Sequence, residues 1–533
     1  MASGKYILAI DLGTSGCKCA VVGLDGRAVQ WAFQPVNTEM IGHFGAEQNP
    51  EDWWNAFLST AAEVVGKARD DQLEISAICT STQGEGTVPV DREGRPLSNC
   101  MTWLDMRGSA AIRRRAGAGL MNIAGYNPVK LARWIQLTGG APSLSAKDPA
   151  GHMAFIQDEW PETYEKAHCF LNVLDFINLR LTGRMAATRD SILTSWVTDN
   201  RNLANIHYHD GLIRTLGIDR DKLPEIVDST DTIGKLRKNV AQIIGLSGDI
   251  PVIAGSIDFA TAAIGSGAVQ DGELHLYIGT SSWMGAHLPE KKTAIQSQIA
   301  SVPCALKDRY LMTAQQSAAG SNLSFLRDNV FFNQDELFQH EAPSDVYSVL
   351  DLIAERVPAG ARGLMYTPWL FGERCPVDDA TVRAGFLNVS MRHNREDMIR
   401  AVMEGVALNT NWALQEVRKF LSSYPIEEIT IIGGGGTSDT WCQIFADVMN
   451  ITIRQPEEPL AANVAGSAFI AGVALGEYAF DEVSAMTRTR ARYQPTPAHR
   501  QVYDQLYGTF TDAYRSLAPF YRRMNMKNKE LLK

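Results

Sequence analysis

The stretch Leu12-Gly13-Thr14-Ser15-Gly16 follows an apolar, strand-prone run and returns almost unchanged as Ile278-Gly279-Thr280-Ser281-Ser282. The second copy also follows a strand-like run, and its separation from the first is half of the 533-residue chain. A short match can arise by chance, but a match after a strand in both halves indicates an internal repeat. The sequence therefore predicts an α/β protein with two related domains that face each other.

Both turns have the composition of a phosphate-binding loop. Glycine lets backbone N–H groups approach an anion closely, and the adjacent hydroxyls add further donors. Two such turns on opposing domains would hold the phosphates of one nucleotide between them, and a nearby lysine would add positive charge. The candidate nucleotide-binding residues in and beside these turns are Thr14, Ser15, Lys18, Gly279 and Thr280.

Asp11 ends the first apolar strand directly before its turn. A carboxylate in this place suits a hydrated Mg²⁺, which binds to a few protein oxygens and keeps several waters. The alternative is an aspartate that caps the turn. Asp11 is therefore the candidate metal residue.

A run of four glycines occupies residues 433–436, between a predicted strand and the start of a predicted helix. This arrangement suits a nucleotide, either through phosphate at the helix end or through backbone packed against a flat base. The run does not match the Walker A pattern G-x-x-x-x-G-K-[ST]. A plain flexible loop is the alternative interpretation.

Asp258 is a single carboxylate among the small and apolar residues of segment 254–263. Such a residue is either a helix N-cap or a reactive group, and the local sequence leaves both open. Elsewhere, the polar segment 81–86 is followed by Trp103 and Asp105. Sugars bind to mixtures of hydrogen-bonding groups and apolar faces, so this second region is a weak candidate for a sugar site.

The composition is that of an ordinary globular chain with an acidic surface. There are 50 Lys and Arg against 60 Asp and Glu, a formal net charge of −10, which argues against nucleic-acid and anionic-membrane partners. The eight cysteines form no C-x-x-C pair, so we expect buried thiols rather than disulfides or a zinc site. Since no signal-peptide or membrane-spanning run is present, we expect a cytoplasmic protein.

Taken in order, these segments resemble the FGGY carbohydrate kinases, and most of all their xylulokinase branch. The resemblance runs from about Tyr6 to about Tyr521. The matching segments are Asp11-Leu12-Gly13-Thr14-Ser15, Glu47-Gln48-Asn49-Pro50 with Trp53-Trp54, Gln83 to Gly86, Trp103-x-Asp105-x-Arg107, Arg180-Leu181-Thr182-Gly183, the Asp258 segment, Gly279-Thr280-Ser281, Gly372-Glu373-Arg374-x-Pro376, Arg400 to Gly405, and the glycine run with Trp441, Gln443, Ala446 and Asp447.

The resemblance implies an actin-like ATPase (ribonuclease H-like) fold with two related domains around a central cleft. Residues 1–268 would form the sugar-binding domain and residues 269–533 the nucleotide-binding domain. It implies ATP and Mg²⁺ as cofactors and Asp258 as the general base. The implied contacts are Asp11, Thr14, Ser15, Lys18 and Thr280 for the β/γ-phosphates and Mg²⁺; Gly320, Gly435 and Asp439 for adenosine; and Gly84, Glu85, Trp103, Asp105 and Asp258 for the sugar.

The chain departs from the family pattern at three places, one of which is Gly436, where alanine is usual. Xylulokinases usually have Met-His where this chain has Gly84-Glu85, and the segment Asn463-Val464-Ala465-Gly466 replaces a typical Gly-Ala-Ala stretch. A pentulose such as D-xylulose is the first expectation for the substrate. The alternatives are L-ribulose, another ketose, glycerol, a linear polyol, or a regulatory actin-like ATPase. The expected partners are a sugar and ATP, and a homodimer is left open.

Overall fold

The structure, a computed structural model, describes residues 4–119, 121–333, 343 and 345–527. Its strands are β1 Lys5–Gly13, β2 Gly16–Gly23, β3 Ala28–Pro35, β4 Glu39–Ile41, β5 Gly45–Gln48, β6 Glu74–Thr82, β7 Val88–Val90, β8 Cys100–Met101, β9 Cys169–Leu171, β10 Ala186–Thr188, β11 Thr198–Asp199, β12 His207–Tyr208, β13 Glu225–Val227, β14 Thr232–Lys235, β15 Pro251–Ile257, β16 Leu274–Ile278, β17 Ser282–Leu288, β18 Thr293–Ala294, β19 Ile299–Pro303, β20 Tyr310–Gln316, β21 Met365–Thr367, β22 Gly385–Leu387, β23 Glu428–Ile432, β24 Thr452–Pro456 and β25 Thr489–Tyr493. Its α-helices are α1 Pro50–Asp70, α2 Ser109–Gly117, α3 Pro128–Thr138, α4 Pro149–Glu159, α5 Pro161–Lys166, α6 Val173–Thr182, α7 Asp210–Leu216, α8 Lys238–Ile244, α9 Asp258–Gly265, α10 Ser321–Leu326, α11 Val346–Arg356, α12 Arg395–Phe420, α13 Asp439–Met449, α14 Ala462–Ala474, α15 Val483–Met486 and α16 Arg500–Lys527.

Two large sheets organise the chain. The first sheet has the order β14-β15-β6-β1-β2-β3, and the second has the order β18-β19-β20-β17-β16-β23-β24-β25. In the first sheet, β15, β6 and β1 are parallel, while β14, β2 and β3 run antiparallel to their neighbours. In the second sheet, β16, β23 and β24 are parallel, while β20, β17 and β25 run antiparallel to theirs.

The two sheets therefore share one six-strand pattern of order and direction. Read from one edge, β3-β2-β1-β6-β15-β14 corresponds to β20-β17-β16-β23-β24-β25. Both Gly-Thr-Ser turns lie in the same place, between the first two antiparallel strands of each pattern, and they close at Gly13↔Gly16 and Ile278↔Ser282. The predicted internal repeat is confirmed, and the second sheet differs by the added edge strands β18 and β19.

Two helices that follow equivalent strands join the halves. Helix α9 follows β15, helix α14 follows β24, and the two cross at glycines. A Cβ atom on Gly265 would lie 1.8 Å from the carbonyl oxygen of Ala462, and one on Gly466 would lie 2.0 Å from that of Thr261. The small residues predicted to permit close packing near Gly466 thus bring the backbones of the two halves into contact.

Local sequence signals explain where the long helices begin. Asn49 caps α1 through its side chain, which accepts a hydrogen bond from Glu51 N, and Pro50 fills the first helical position. Asn394 caps α12, and Asp397 completes a capping box. The strand predicted before the glycine run is β23, which ends at Ile432.

The segment between residues 109 and 250 is largely helical, as predicted, with its own core around the fully buried Trp134. The sequence does not predict its short strand pairs, because strands of two or three residues have no measurable alternation. This segment also touches the second half, where Lys291 Nζ donates to the Gln136 carbonyl at 2.7 Å and Tyr310 OH donates to the Asn200 carbonyl at 2.8 Å.

All eight cysteines are buried thiols, and none of them is paired in a disulfide. Among the described helices, none is long and apolar enough to cross a membrane.

Candidate active site

A continuous set of contacts connects the two Gly-Thr-Ser turns across the base of the cleft. Gly433 N donates to the Pro459 carbonyl at 2.9 Å, and Gly433 lies against the Ile278 carbonyl at the second turn. One residue beyond Pro459, the Leu460 carbonyl accepts a hydrogen bond from Lys18 Nζ at 3.0 Å. Lys18 pairs directly with Asp11 across β1 and β2. The glycine run and both turns are therefore linked by one set of contacts, and their joint binding of phosphate stays a prediction.

A polar network fixes the first turn. Thr14 Oγ1 donates to Gln83 Oε1 at 2.8 Å and accepts from Trp103 Nε1 at 2.9 Å. The Thr14 carbonyl accepts from Gln48 Nε2 at 2.8 Å, and Gln83 Nε2 donates to Gln48 Oε1 at 2.7 Å. Since the Trp103 N–H donates to Thr14, only the ring of this side chain is left for other contacts.

Gln48 and Gln83 are site residues that sequence reasoning did not assign a role, although both lie in the segments that carry the family resemblance. Their signal was weak because they are 35 residues apart in the chain and meet only in the fold. Both are buried, so their amide groups hold the turn rather than face solvent. They are therefore positioning residues for Thr14.

Asp258 is the first residue of α9, at the carboxyl end of the parallel strand β15. The N-cap is Ile257, and it has no side-chain capping bond. Among the described residues, the Asp258 carboxylate has no hydrogen-bonding side chain within reach, and burial, with a further contribution from the charge of Asp11, raises its pKa to about 7. A hydrogen bond from the backbone N–H of Phe259, in the first turn of α9, partly offsets this rise in pKa, so the carboxylate also contacts the start of its own helix. The role of Asp258 as a reactive group stays a prediction.

Two sets of contacts hold the start of α9 in place. Asp190, which is 2% exposed, accepts hydrogen bonds from the Ser256 hydroxyl and from Ile257 N at 2.9 Å. Phe259 packs on the ring of Trp283 in the second sheet at a centroid distance of 5.8 Å, and Trp283 stacks on Tyr277 at 3.9 Å. Asp258 thus sits between a buried carboxylate of the first half and an aromatic layer of the second.

Asp11 lies half-buried beside Lys18, and burial raises its pKa, which the charge of Lys18 and hydrogen bonds from Asn463 and Ser81 oppose. Asn463 Nδ2 is 3.3 Å from Asp11 Oδ1. At the junction of the two halves, Asp11 therefore has three neighbours that favour its ionised form and a burial that outweighs them. A carboxylate with these neighbours fits the role of a magnesium ligand.

In the region predicted to hold the sugar, the Asp105 carboxylate is hydrogen-bonded, whereas the Glu85 carboxylate has no partner among the described residues. Asp105 is fully buried, and its carboxylate accepts from Ala46 N at 2.9 Å and from Arg107 Nε at 2.9 Å. Glu85 is half-buried, with no hydrogen bond or ion pair among the described residues, and its backbone is left-handed at φ = 63°. Asp105 thus positions the loop around Trp103, while Glu85 and the neighbouring Gly84 are open to a ligand.

Two cations from outside that region act on Glu85. Burial raises the pKa of Glu85, and the charges of Arg374 and Lys147 lower it. Arg374 Nη1 donates to Gln315 Oε1 at 2.8 Å, while the Lys147 ammonium has no partner among the described residues. The His152 ring and Thr87 Oγ1 lie 3.0 Å apart, so the helix after Lys147 packs beside the loop of Glu85. The sequence did not predict either cation.

Of the three residues predicted to contact adenosine, two pack against the second turn and one lies away from it. Gly320 N donates to the Gly279 carbonyl at 2.8 Å, and a Cβ on Gly435 would lie 2.3 Å from Ile278, so both pack against the second turn. Ser15 and Thr280 are exposed at the turns. Asp439 is exposed and pairs with Arg490 at 3.1 Å. The fold therefore brings Gly320 and Gly435 to the turn, while the Asp439 carboxylate is already engaged outside it.

The comparisons with known proteins cover nearly the whole chain. A sequence profile described as "FGGY family of carbohydrate kinases, N-terminal domain" matches residues 6–265, and one described as "FGGY family of carbohydrate kinases, C-terminal domain" matches residues 274–475. The xylulose kinase of Bacillus subtilis is 27% identical over 519 residues, which cover 96% of this chain and 97% of that protein. The gluconokinase of Bacillus subtilis is 27% identical over 524 residues, which cover 98% of both proteins.

Solved structures share the architecture. The crystal structure of ligand-bound xylulose kinase from Lactobacillus acidophilus matches with a TM-score of 0.83 at 23% identity, over 98% of this chain and 100% of that one. This likeness concerns the fold, which is the actin-like ATPase fold expected from the sequence. Because the two profiles together match most of the sequence, the chain belongs to the FGGY family of carbohydrate kinases.

Proposed function

We propose that this protein transfers the γ-phosphoryl group of ATP to a hydroxyl of a sugar, with Asp258 as the general base. The observation that carries this proposal is the placement of Asp258. Its carboxylate begins α9 between the two halves, with no competing side-chain partner among the described residues and with a pKa raised to about 7 by burial and by Asp11. A base whose pKa lies near the working pH is ionised in a large fraction of the molecules and still binds a proton well.

In this mechanism the sugar hydroxyl attacks the γ-phosphorus in line, its proton passes to Asp258, and ADP leaves. Phosphoryl transfer demands little covalent chemistry of a protein, so positioning and electrostatics carry it. The backbone N–H groups of Thr14, Ser15 and Thr280 and the exposed hydroxyls of Ser15 and Thr280 hold phosphate oxygens, with Lys18 beside them. Gly279 shapes the second turn, because its N–H donates to the Ser281 carbonyl at 2.9 Å. Gly320 and Gly435 offer backbone to the adenosine. Residues 1–268 supply the sugar side, and residues 269–533 supply the nucleotide side.

The residues around Asp11 fit Mg²⁺. The ion prefers hard oxygens, and Asp11 has an oxygen beyond the one bonded to Asn463, while Asn463 Oδ1 is buried without a partner among the described residues. When bound, Mg²⁺ would neutralise charge on the phosphate oxygens. Asp11 would hold it, and Lys18 would share the phosphate charge.

For the substrate, we propose a pentulose such as D-xylulose first. The match to the xylulose kinase of Bacillus subtilis covers 96% of the chain, and Glu85 supplies an acceptor for sugar hydroxyls that is unpaired among the described residues. A left-handed non-glycine backbone costs free energy, of the order of 1–2 kcal/mol, and such strain collects at functional sites. Glu85 is thus the residue that this chain presents to the sugar in place of the Met-His of xylulokinases.

An acidic sugar is the second candidate, because two cations converge on the same region. Lys147 has no partner among the described residues, and burial and the charge of Arg374 lower its pKa. A bound anion would reduce the repulsion between the Lys147 ammonium and the Arg374 guanidinium, and the carboxylate of an aldonate would supply that anion. A gluconokinase matches this chain at the same identity as the xylulose kinase.

A substrate panel tests the function and separates the two candidates. The protein is mixed with Mg-ATP and D-xylulose, L-ribulose, glycerol, erythritol or D-gluconate, and the phosphorylated product is identified by mass spectrometry. We expect D-xylulose to give the highest kcat/KM. The highest kcat/KM for gluconate would assign the acidic-sugar function, and no product from any acceptor would contradict the kinase proposal.

Two matched variants then locate the recognition. Glu85→Gln keeps size and backbone and removes the charge, so it should raise KM for a neutral sugar by about 10-fold, the loss of one charged hydrogen bond. Lys147→Met should leave that KM unchanged. The reverse pattern, with Lys147→Met raising KM and Glu85→Gln neutral, would show that the substrate is bound through a carboxylate.

A further inference from the structure

Asn463 reaches from the second half of the chain to the carboxylate that we assign to Mg²⁺. It is the second residue of α14, and its Nδ2 donates to Asp11 Oδ1 at 3.3 Å. Its own Oδ1 is shielded from solvent and has no hydrogen-bond partner among the described residues. Buried polar atoms are nearly always paired, so an unpaired acceptor at this place indicates a partner that binds there.

The contacts of Asn463 fix both its orientation and its position. An ionised carboxylate only accepts hydrogen bonds, so the amide NH₂ has to face Asp11, and Oδ1 is then left for another donor. Three residues further along α14, Gly466 packs against the carbonyl of Thr261, which holds this end of the helix beside the first sheet. Asn463 therefore stays beside Asp11 as a fixed part of the cleft base.

We propose that Asn463 is a positioning residue of the Mg²⁺ site: Nδ2 orients Asp11, and Oδ1 accepts a hydrogen bond from a water bound to the ion. This inference rests on the proposed function, which assigns Asp11 to Mg²⁺. Mg²⁺ dehydrates reluctantly and keeps several waters, each of which is a strong donor. Within the described residues no group of three or more His, Cys, Asp or Glu side chains could hold a metal, so residues that orient waters have greater weight here.

Metal binding to the full-length protein tests the role of Asn463 directly. Mn²⁺ replaces Mg²⁺ as the probe, and electron paramagnetic resonance measures free Mn²⁺ with ADP present. Asn463→Leu keeps the size and removes both polar atoms, so it should raise the Kd for Mn²⁺ by about 10–100-fold, the usual effect of removing a partner of a metal's ligands. Asn463→Asp loses the Nδ2 donor but keeps an acceptor oxygen, so its Kd for Mn²⁺ should lie closer to that of the parent than to that of Asn463→Leu.

Ser467→Ala is the control, because it removes another buried, unpaired polar atom from the same helix, one turn away from Asn463. We expect it to leave Mn²⁺ binding unchanged. A second readout is activation by Mg²⁺: the activity of Asn463→Leu should recover at high Mg²⁺ concentration, which a packing defect would not show.

Two results would overturn the inference. One is an Asn463→Leu protein that binds Mn²⁺ as tightly as the parent. The other is an equal loss of Mn²⁺ affinity in Asn463→Leu and Asn463→Asp, which would point to packing or to the N–H donor alone. Sugar phosphorylation by the parent protein is measured in the same preparation. If the parent is active, either of these results counts against the role of Asn463 and not against the kinase proposal.

Discussion

Asp258→Asn should lower kcat for the accepted sugar by about 10²–10⁴-fold, the usual contribution of a general base. The asparagine side chain has the same size but accepts no proton at neutral pH. ATP binding should be unchanged, because the residues proposed to hold the phosphates lie on the two turns and not on Asp258. Isothermal titration calorimetry with ATP and a coupled assay of ADP release measure the two quantities separately.

The matched control is Asp249→Asn, the same substitution at an exposed aspartate whose carboxylate pairs with Lys235 at 3.0 Å. It should leave both kcat and ATP affinity unchanged. An Asp258→Asn protein with near-normal turnover would show that another group accepts the proton. Loss of ATP binding along with kcat would instead indicate that the substitution disturbs the cleft.

The raised pKa of Asp258 gives this prediction a pH signature. The base must be ionised, so kcat/KM should rise with pH up to about 7 and then level off. The folded protein holds the Asp258 proton to higher pH than the unfolded chain does, so ionisation of Asp258 reduces stability as pH rises from about 4 toward 7. Asp258→Asn should therefore melt at a higher temperature than the parent at pH 8, and a lower melting temperature would contradict this interpretation.

Among the substitutions proposed for this protein, Gly466→Val should lower the free energy of unfolding the most. Even a Cβ at this position lies 2.0 Å from the Thr261 carbonyl oxygen, and that oxygen belongs to backbone that cannot turn away. The helices α9 and α14 would have to separate, and overpacking of this kind costs about 1–3 kcal/mol or more of unfolding free energy. Since Asp258 begins α9, we also expect kcat to fall, by more than the change in folded population explains.

Urea unfolding and steady-state kinetics on the same samples measure both effects. Gly66→Ala in α1 is the matched helical glycine control, since a Cβ there meets nothing within 4 Å. It should stabilise the protein by about 0.5–1 kcal/mol. A Gly466→Val protein with parental stability and activity would show that the helix crossing is not a fixed junction.

The repeated turn allowed much of the fold to be predicted. The match between residues 12–16 and 278–282 identified the two hairpins from which equivalent six-strand sheets grow. The capping signal at Asn394 located the start of α12, because such a signal acts within three residues. Each of these signals lies within a few consecutive residues, so the sequence alone is enough to identify it.

The rest of the site depends on contacts between distant residues. Asn463 meets Asp11 from 452 residues away, and Lys147 and Arg374 approach Glu85 from different domains. No spacing in a single sequence encodes such pairs. The family resemblance pointed to Asp105 as a sugar ligand, but only the structure shows that Arg107 and Ala46 already occupy its carboxylate.

The fate of the γ-phosphoryl group tests the central proposal most directly. Enzyme in excess is mixed with Mg²⁺, γ-labelled ATP and the best sugar of the panel, and the label is followed over a single turnover. We predict that the label appears in a sugar phosphate, that it appears faster than inorganic phosphate forms without sugar, and that Asp258→Asn abolishes the transfer. Label that appears only as inorganic phosphate, at a rate that no sugar changes, would contradict the kinase proposal and favour a regulatory actin-like ATPase.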